Sequence, residues 1–387
     1  MPSPLKKFAR NEILSLTAEA VTYDLAESVG PDLLLSDILG TESLADIEQM
    51  ALGYHTCEGK VELRELIARA HQVSAEDVLI TAGGMQALFL LGFCLCNPGD
   101  EVVITTPIFP NTKVALNAVG ATVRELKLSF DDWYQIDQAR LKTMLSPSTK
   151  LVCLTSPQNP SGVALTEGSI REVLALMKKT CPNAYLVIDE TYRDAVYGGN
   201  SPAKSLVAED NRIISCASLS KCHGAPGLRL GWAITRDTAL FEQLKLGKFN
   251  TVICTSPLDE ALAIKVLEHK AHLFDPRSAV LKQALENVQQ WVIDNADMVE
   301  WISPSAGALC CVRLRPEVFD DNAVDHFYAA QKNHDVRVAP GTWFEEDARV
   351  FRLGFGFLPM NDLQEGLNRL TRALKEARAN FVHIEAL

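Results

Sequence analysis

From Asp77 to Thr235 the chain alternates continuously apolar runs with segments whose apolar residues recur at helical spacing. DVLIT (77–81), EVVITT (101–106), TVRELKL (122–128), KLVCLTSP (150–157), AYLVIDE (184–190), RIISCAS (212–218) and GWAIT (231–235) read as strands. Between them, AGGMQALFLLGFCL and TKVALNAV read as helices, and SIREVLALMKK puts Ile170, Val173, Leu174 and Met177 on one face. Upstream, KVELRELIARA gathers Val61, Leu63, Leu66, Ile67 and Ala70 in the same way, after a helix at SLADIEQMAL. Apolar strands alternating with amphipathic helices predict an α/β fold with a mainly parallel sheet covered on both faces. Ligands of such sheets lie at the carboxyl ends of the strands.

After about residue 275 the pattern changes. A long helical stretch leads to ALCCVRL (308–314), a helix near 323–332, then DVRVAPG and VFRLGFG. The chain closes with NDLQEGLNRLTRALKEARA, where Leu363, Leu367, Leu370 and Leu374 keep helical spacing. We expect a large domain over 46–275 and a smaller α+β domain made of 276–387 and the irregular residues 1–45.

Composition narrows the setting. A length of 387 residues, 47% hydrophobic, suffices for two domains with a large core. A net charge of -12 argues against a nucleic-acid partner, which needs a basic face. No apolar run approaches the roughly 20 residues of a membrane span, and MPSPLKKFARNEI lacks the apolar centre of a secretory signal. Ten cysteines without CxxC spacing, Cys310 and Cys311 among apolar neighbours, point to a reducing cytoplasm. No metal site is expected.

The chemistry concentrates at strand ends. IISCASLSKCHGAPGLRLGW places Ser218, Ser220, Lys221 and Arg229 at the end of a buried strand and in the Gly/Pro-rich turn after it. Shielding from water lowers an amine's pKa and makes it a better nucleophile toward an aldehyde. Two hydroxyls and a guanidinium suit a phosphate. A Schiff-base lysine beside a phosphate site suggests pyridoxal phosphate; the plainer reading is a loop lysine in water. Gly84 and Met85 open a helix after DVLIT, where free N–H groups favour a phosphate, although glycine turns there are common. Phe109 in TTPIFPN could stack on a ring or fill the core. Asn159 in SPQNPSG could donate to a phenolate, a role Tyr192 could share, or serve only a turn. Asp189 ends an apolar strand, where a carboxylate wants a cation such as a pyridinium, or caps a helix. Arg352 in VFRLGFG suits an α-carboxylate or an internal ion pair. Their joint occurrence carries the argument, since each supplies a different part of one cofactor site.

GYHTCEGKVELREL, ITAGGMQAL, NPGDEVVITTPIFPN, SPQNPSGVAL, VIDETY, SLSKCHGAPGLRLGW and VFRLGFG, in that order, resemble the class I/II aminotransferases of pyridoxal phosphate fold type I. The resemblance runs from about Tyr54 to Phe355. It implies that Lys221 carries the cofactor and shuttles protons, and that Asp189 pairs with the ring nitrogen. Asn159 and Tyr192 would face the phenolic oxygen, and Phe109 would stack on the ring. Gly84, Met85, Ser218, Ser220 and Arg229 would hold the phosphate, with Tyr54 reaching that of the neighbouring subunit in a homodimer. Arg352 would take the α-carboxylate of an amino acid or keto acid, and Gly30 would lie on the substrate side. His223 stands where an aromatic such as tyrosine is frequent. No second arginine is placed for a side-chain carboxylate, which counts against aspartate-type specificity without excluding it. Two alternatives stay open. One is a lyase or a cyclase resembling capreomycidine synthase, with His223 as a candidate acid. The other is a non-catalytic cofactor-binding protein, disfavoured because the motifs begin too early to follow a helix-turn-helix domain.

Overall fold

The computed structural model describes residues 8, 11–18 and 20–385. After β1 (Tyr23–Asp24), the chain builds a seven-stranded sheet from β2 (Val78–Thr81), β3 (Glu101–Thr106), β4 (Thr122–Lys127), β5 (Thr149–Thr155), β6 (Tyr185–Asp189), β7 (Ile213–Ser218) and β8 (Gly231–Ile234). Their order is β2-β8-β7-β6-β5-β3-β4. Strand β8 runs antiparallel to both its neighbours, and the other pairings are parallel. The carboxyl ends of β2, β3, β5, β6 and β7 therefore share one edge with the start of β8.

Side chains along a strand point alternately to the two faces, and two separate cores result. Ile80, Val152, Leu154, Leu186, Ile188 and Ile213 pack with Leu63 and Ile67 of helix Val61–His71 and with Val173 and Met177 of helix Glu167–Thr180. Leu79, Leu151, Cys153, Val187, Ile214 and Cys216 pack on the other side with Leu90 and Leu91 of helix Gly83–Leu95 and with Leu244. Helix Glu167–Thr180 starts at Thr166, whose hydroxyl accepts from the Ser169 N–H at 3.1 Å.

A second sheet is antiparallel, ordered β12-β13-β10-β9, with β9 (Val299–Ile302), β10 (Leu309–Leu314), β12 (Ala339–Pro340) and β13 (Val350–Gly354). Cys310, Val312, Phe351 and Leu353 pack there with Phe327, Leu363, Leu367, Leu370 and Leu374. Between β10 and β12, β11 (Val336–Arg337) pairs in parallel with β1, and Leu25 joins this core.

The structure departs from the pattern in several elements. DVRVAPG is split between β11 and β12, two short strands in different sheets. SLADIEQMAL becomes a helix over Thr41–Glu48. Residues 1–45 hold short helices at Ser15–Ala18 and Leu35–Ile38; residues 1–7 and 9–10 lie outside the described chain. Helix Gln138–Met144, between β4 and β5, is too short to show a period, and its signal is Asp137, whose carboxylate accepts from two N–H groups. Helices Thr238–Val252 and Pro257–Glu268 follow β8. No helix among the described residues is long and apolar enough to cross a membrane.

Candidate active site

The shared edge of the large sheet gathers the chemistry. Lys221 follows β7 by three residues, and burial lowers its amine to about 8. The positive charges of Arg352 and Arg229 act in the same direction, while Glu27 and Asp32 oppose them. The amine donates to the Ser28 hydroxyl at 3.3 Å, and that hydroxyl lies 2.9 Å from the phenol oxygen of Tyr192. Tyr192 is buried, which pushes its phenol up to about 12. The Asn159 amide donates to it at 3.5 Å, and the Asn159 carbonyl accepts from Arg352 Nη1 at 2.9 Å. Arg352, 2% exposed on β13, gives a second bond to the Ala26 carbonyl at 2.5 Å and stacks 4.6 Å from the Phe344 ring. Its Nε is buried without a partner.

Asp189 closes β6. Burial raises its carboxyl, and the hydrogen bonds that oppose this come from Thr191, from its side chain and from its N–H at 3.0 Å. No described cation is within ion-pair distance of it. A half-buried carboxylate without a cation carries a desolvation cost, so this geometry suits a ligand that brings one.

The phosphate-type cradle lies on the β2–β8 side. Helix Gly83–Leu95 begins without a side-chain cap, which leaves its first N–H groups available. Gly83 has φ +74, and a Cβ there would meet Arg229 Nη2 at 2.6 Å. A Cβ on Gly231 would lie 2.5 Å from the Gly84 nitrogen, so only glycine allows this close approach. Arg229, itself left-handed with φ 47, donates to the Ser220 hydroxyl at 3.4 Å. Ser218 ends β7 and accepts from the Ser220 N–H at 3.3 Å. Met85, the third residue of that helix, packs its side chain partly against the core. Phe109 precedes helix Pro110–Ala118, and the neighbouring Ile108 N–H donates to the Phe344 carbonyl, tying this loop to the one under Arg352.

A cavity of about 650 Å³ opens beside Lys221 and Tyr192. Gly30 lines it, as does Ser28; mostly apolar walls come from Phe274, Leu281, Ala284 and Met360. A second guanidinium enters as well: Arg277 lies against Gly30 and Gly224, with Nη1 donating to the Pro31 carbonyl at 2.7 Å. Sequence reading placed no second arginine, because Arg277 sits within a long helix, Lys270–Asp294, far from any strand end. Ser28 was missed too; it lies in an irregular segment with no periodic signal. His223 is buried against Trp232 and Phe274, 3.8 Å from Asp194; Phe274 and Asp194 are the members of that group that line the cavity. Tyr54 stands apart, 84% exposed. Among the described residues, no cluster of His, Cys, Asp and Glu could hold a metal ion.

A fold with one antiparallel strand in a parallel sheet, and a half-buried lysine and carboxylate at its edge, is that of a known enzyme class. The chain belongs to the aminotransferase class I and II family, whose pattern matches residues 11–370. It is similar to capreomycidine synthase of Streptomyces vinaceus, 28% identical over 95% of this chain and 90% of that protein. It is also similar to an arginine–pyruvate transaminase of Pseudomonas aeruginosa, 27% identical over 94% and 91%. A pyridoxal-phosphate-dependent aminotransferase structure from Streptococcus suis shares the fold with a TM-score of 0.86 at 23% identity, covering 97% of this chain and 98% of that one. The family and fold expected from the motifs are thereby met. The chain is an aminotransferase, an enzyme that moves an amino group between an α-amino acid and a 2-keto acid.

Proposed function

We propose that Lys221 holds pyridoxal phosphate covalently and moves the reacting proton during amino transfer. The observation that carries this reading is a pair: a half-buried amine brought down to about 8, and a half-buried carboxylate, Asp189, with no described cation beside it. Pyridoxal phosphate supplies an aldehyde that condenses with amines and a ring that accepts the electrons left when the α-proton departs. Asp189 would supply the negative charge that keeps the ring nitrogen protonated. Tyr192 and Asn159 would donate toward the phenolic oxygen, and Phe109 would cover the ring. The N–H groups at Gly84 and Met85, with Ser218, Ser220 and Arg229, would hold the phosphate.

Arg352 would bind the substrate carboxylate. Its unpartnered buried Nε supports this role, because an incoming carboxylate supplies the missing acceptor. Gly30 lines the substrate side, and no side chain there blocks Arg277. Lys221, neutral above about 8, would take the α-proton and return it on the cofactor side. Residues 46–275 would form the cofactor-holding unit, and 1–45 with 276–387 the unit that carries Arg352. The exposed Tyr54 supports a homodimer in which it reaches the partner's phosphate. We place the enzyme in the cytoplasm on its cysteine usage. Two relatives bear on the substrate: the arginine–pyruvate transaminase supports an amino acid donor with a 2-keto acid acceptor. Capreomycidine synthase supports the second reading, a lyase or cyclase using the same residues.

A single half-reaction without keto acid separates them. Amino transfer predicts one keto acid per active site, loss of the holoenzyme's visible band, and recovery of the band when a keto acid is added. Product accumulating over many turnovers with an unchanged band would establish the second reading.

A further inference from the structure

We propose that Ser28 is a further catalytic residue of this site, a reversible hydroxyl relay between the amine of Lys221 and the phenol of Tyr192. The inference rests on the assignment of Lys221 as the proton-moving amine. Ser28 is 2% exposed, and its one oxygen lies 3.3 Å from Lys221 Nζ and 2.9 Å from the Tyr192 oxygen. A hydroxyl has one proton to give and two lone pairs to receive, and its hydrogen rotates to suit its neighbours. When Lys221 is an ammonium, Ser28 accepts from it and points its own proton at Tyr192. When Lys221 is a neutral amine, Ser28 donates to it and accepts from Tyr192. The switch needs only rotation of hydroxyl hydrogens, and Ser28 neither gains nor loses a proton. Apolar replacement would leave Lys221 without this partner in both of its states, at a buried position where a lost partner is costly.

The placement of Ser28 is specific. It sits on the segment between β1 and helix Leu35–Ile38, which is tied down on both sides. The Ala26 carbonyl accepts from Arg352 at 2.5 Å, and the Leu33 N–H donates to the Gly224 carbonyl at 2.7 Å. Arg277 holds the Pro31 carbonyl at 2.7 Å. Gly354 has no side chain because the Glu27 carbonyl packs directly on it. The segment thus runs from the arginine assigned to the substrate carboxylate to the turn that carries Lys221, and Ser28 is the side chain on it that reaches the amine.

The charges around the relay fix the direction of the expected shift. Lys221 faces Arg352 from β13, Arg229 from the turn before β8, and Glu27 and Asp32 from the Ser28 segment itself. Tyr192 faces Arg352, Asp189 and Cys222. Hydrogen bonds to charged groups are the stronger ones. Ser28 therefore stabilises the ammonium more than the neutral amine, and removing it lowers the pH at which Lys221 becomes neutral.

The test compares Ser28→Ala, Ser28→Cys and Ser28→Thr with the parent in two readouts. One is the pH dependence of pyridoxal phosphate capture by the cofactor-free protein, followed by absorbance. The other is the pH dependence of the half-reaction in the holoenzyme. Ser28→Ala and Ser28→Cys should move both midpoints below the parent's, by roughly half a pH unit, and lower the half-reaction plateau about tenfold. Ser28→Thr, which keeps a hydroxyl, should return the midpoints toward the parent. Midpoints in Ser28→Ala and Ser28→Cys equal to the parent's, whatever their rates, would reduce Ser28 to packing and overturn the relay. Failure of the underlying assignment reads differently: Lys221→Ala would then still capture the cofactor covalently on another lysine.

Discussion

Asp189 and Glu190 are neighbouring acids at the end of one strand, the first half-buried and the second buried, and they behave in opposite ways. Glu190 follows the face of Leu186 and Ile188, toward helix Val61–His71. It meets His71 at 3.5 Å and Arg193 at 3.8 Å, and accepts from the hydroxyls of Ser205 and Ser215. Burial alone would raise its carboxyl, but the His71 bond and the Arg193 charge reverse that and hold it below the usual range. Asp189 has only the neutral donors of Thr191, side chain and N–H, for partners, and desolvation prevails. The more deeply buried acid is thus the one held low, and the presence of a cation decides the direction. Glu190 is complete within the chain. Asp189 lacks a cation within the described chain, and a protonated cofactor nitrogen would provide one.

The sharpest way to break this comparison is to remove each acid. Asp189→Ala should cut turnover by on the order of a thousandfold, since an uncompensated buried charge costs several kcal/mol, with a much smaller change in substrate KM. Near-normal turnover would make Asp189 structural. Glu190→Gln should act on stability instead. It leaves Arg193 and His71 without their buried partner and should cost about 3 kcal/mol in urea unfolding, with turnover changing far less. Equal turnover losses in the two variants would dissolve the distinction.

Acid titration of the cofactor-free protein sharpens it further with a smaller effect. Glu190 has a depressed folded pKa, so its stability is present above the ordinary carboxylate range and is lost as pH falls through the folded value. Asp189 has a raised folded pKa, so the native state gains stability as pH falls through that value. Glu190→Gln should flatten the acid loss. Asp189→Asn should raise the Tm of the cofactor-free protein at neutral pH while weakening cofactor retention. A lower Tm would show that Asp189 already has an adequate partner.

The same contrast explains what was legible in the sequence. The large sheet could be read because its strands are apolar on both faces and its helices have clear stripes, as at Ile170, Val173, Leu174 and Met177. Asp189, Asn159 and Lys221 could be read because a polar residue at the end of such a strand has few structural excuses. Glu190 occupies the same kind of position, and nothing local announces that its partner His71 comes from a helix far upstream. Ser28 and Arg277 were invisible for a related reason. Their roles arise where an irregular segment and a long helix meet the sheet edge, and that meeting is a product of tertiary packing rather than of any local pattern. The short helix Gln138–Met144 was lost because seven residues are too few to show a period.

The central claim is that Lys221, and no other lysine, is the amine that takes the cofactor. Another lysine makes the test strict: Lys248 is 0% exposed and burial lowers its amine too, but it donates to the Cys57 carbonyl. Borohydride reduction of the holoenzyme followed by peptide mapping gives the answer directly. The account predicts the reduced cofactor on the peptide that contains Lys221, and a label on Lys248 or any other lysine would contradict it.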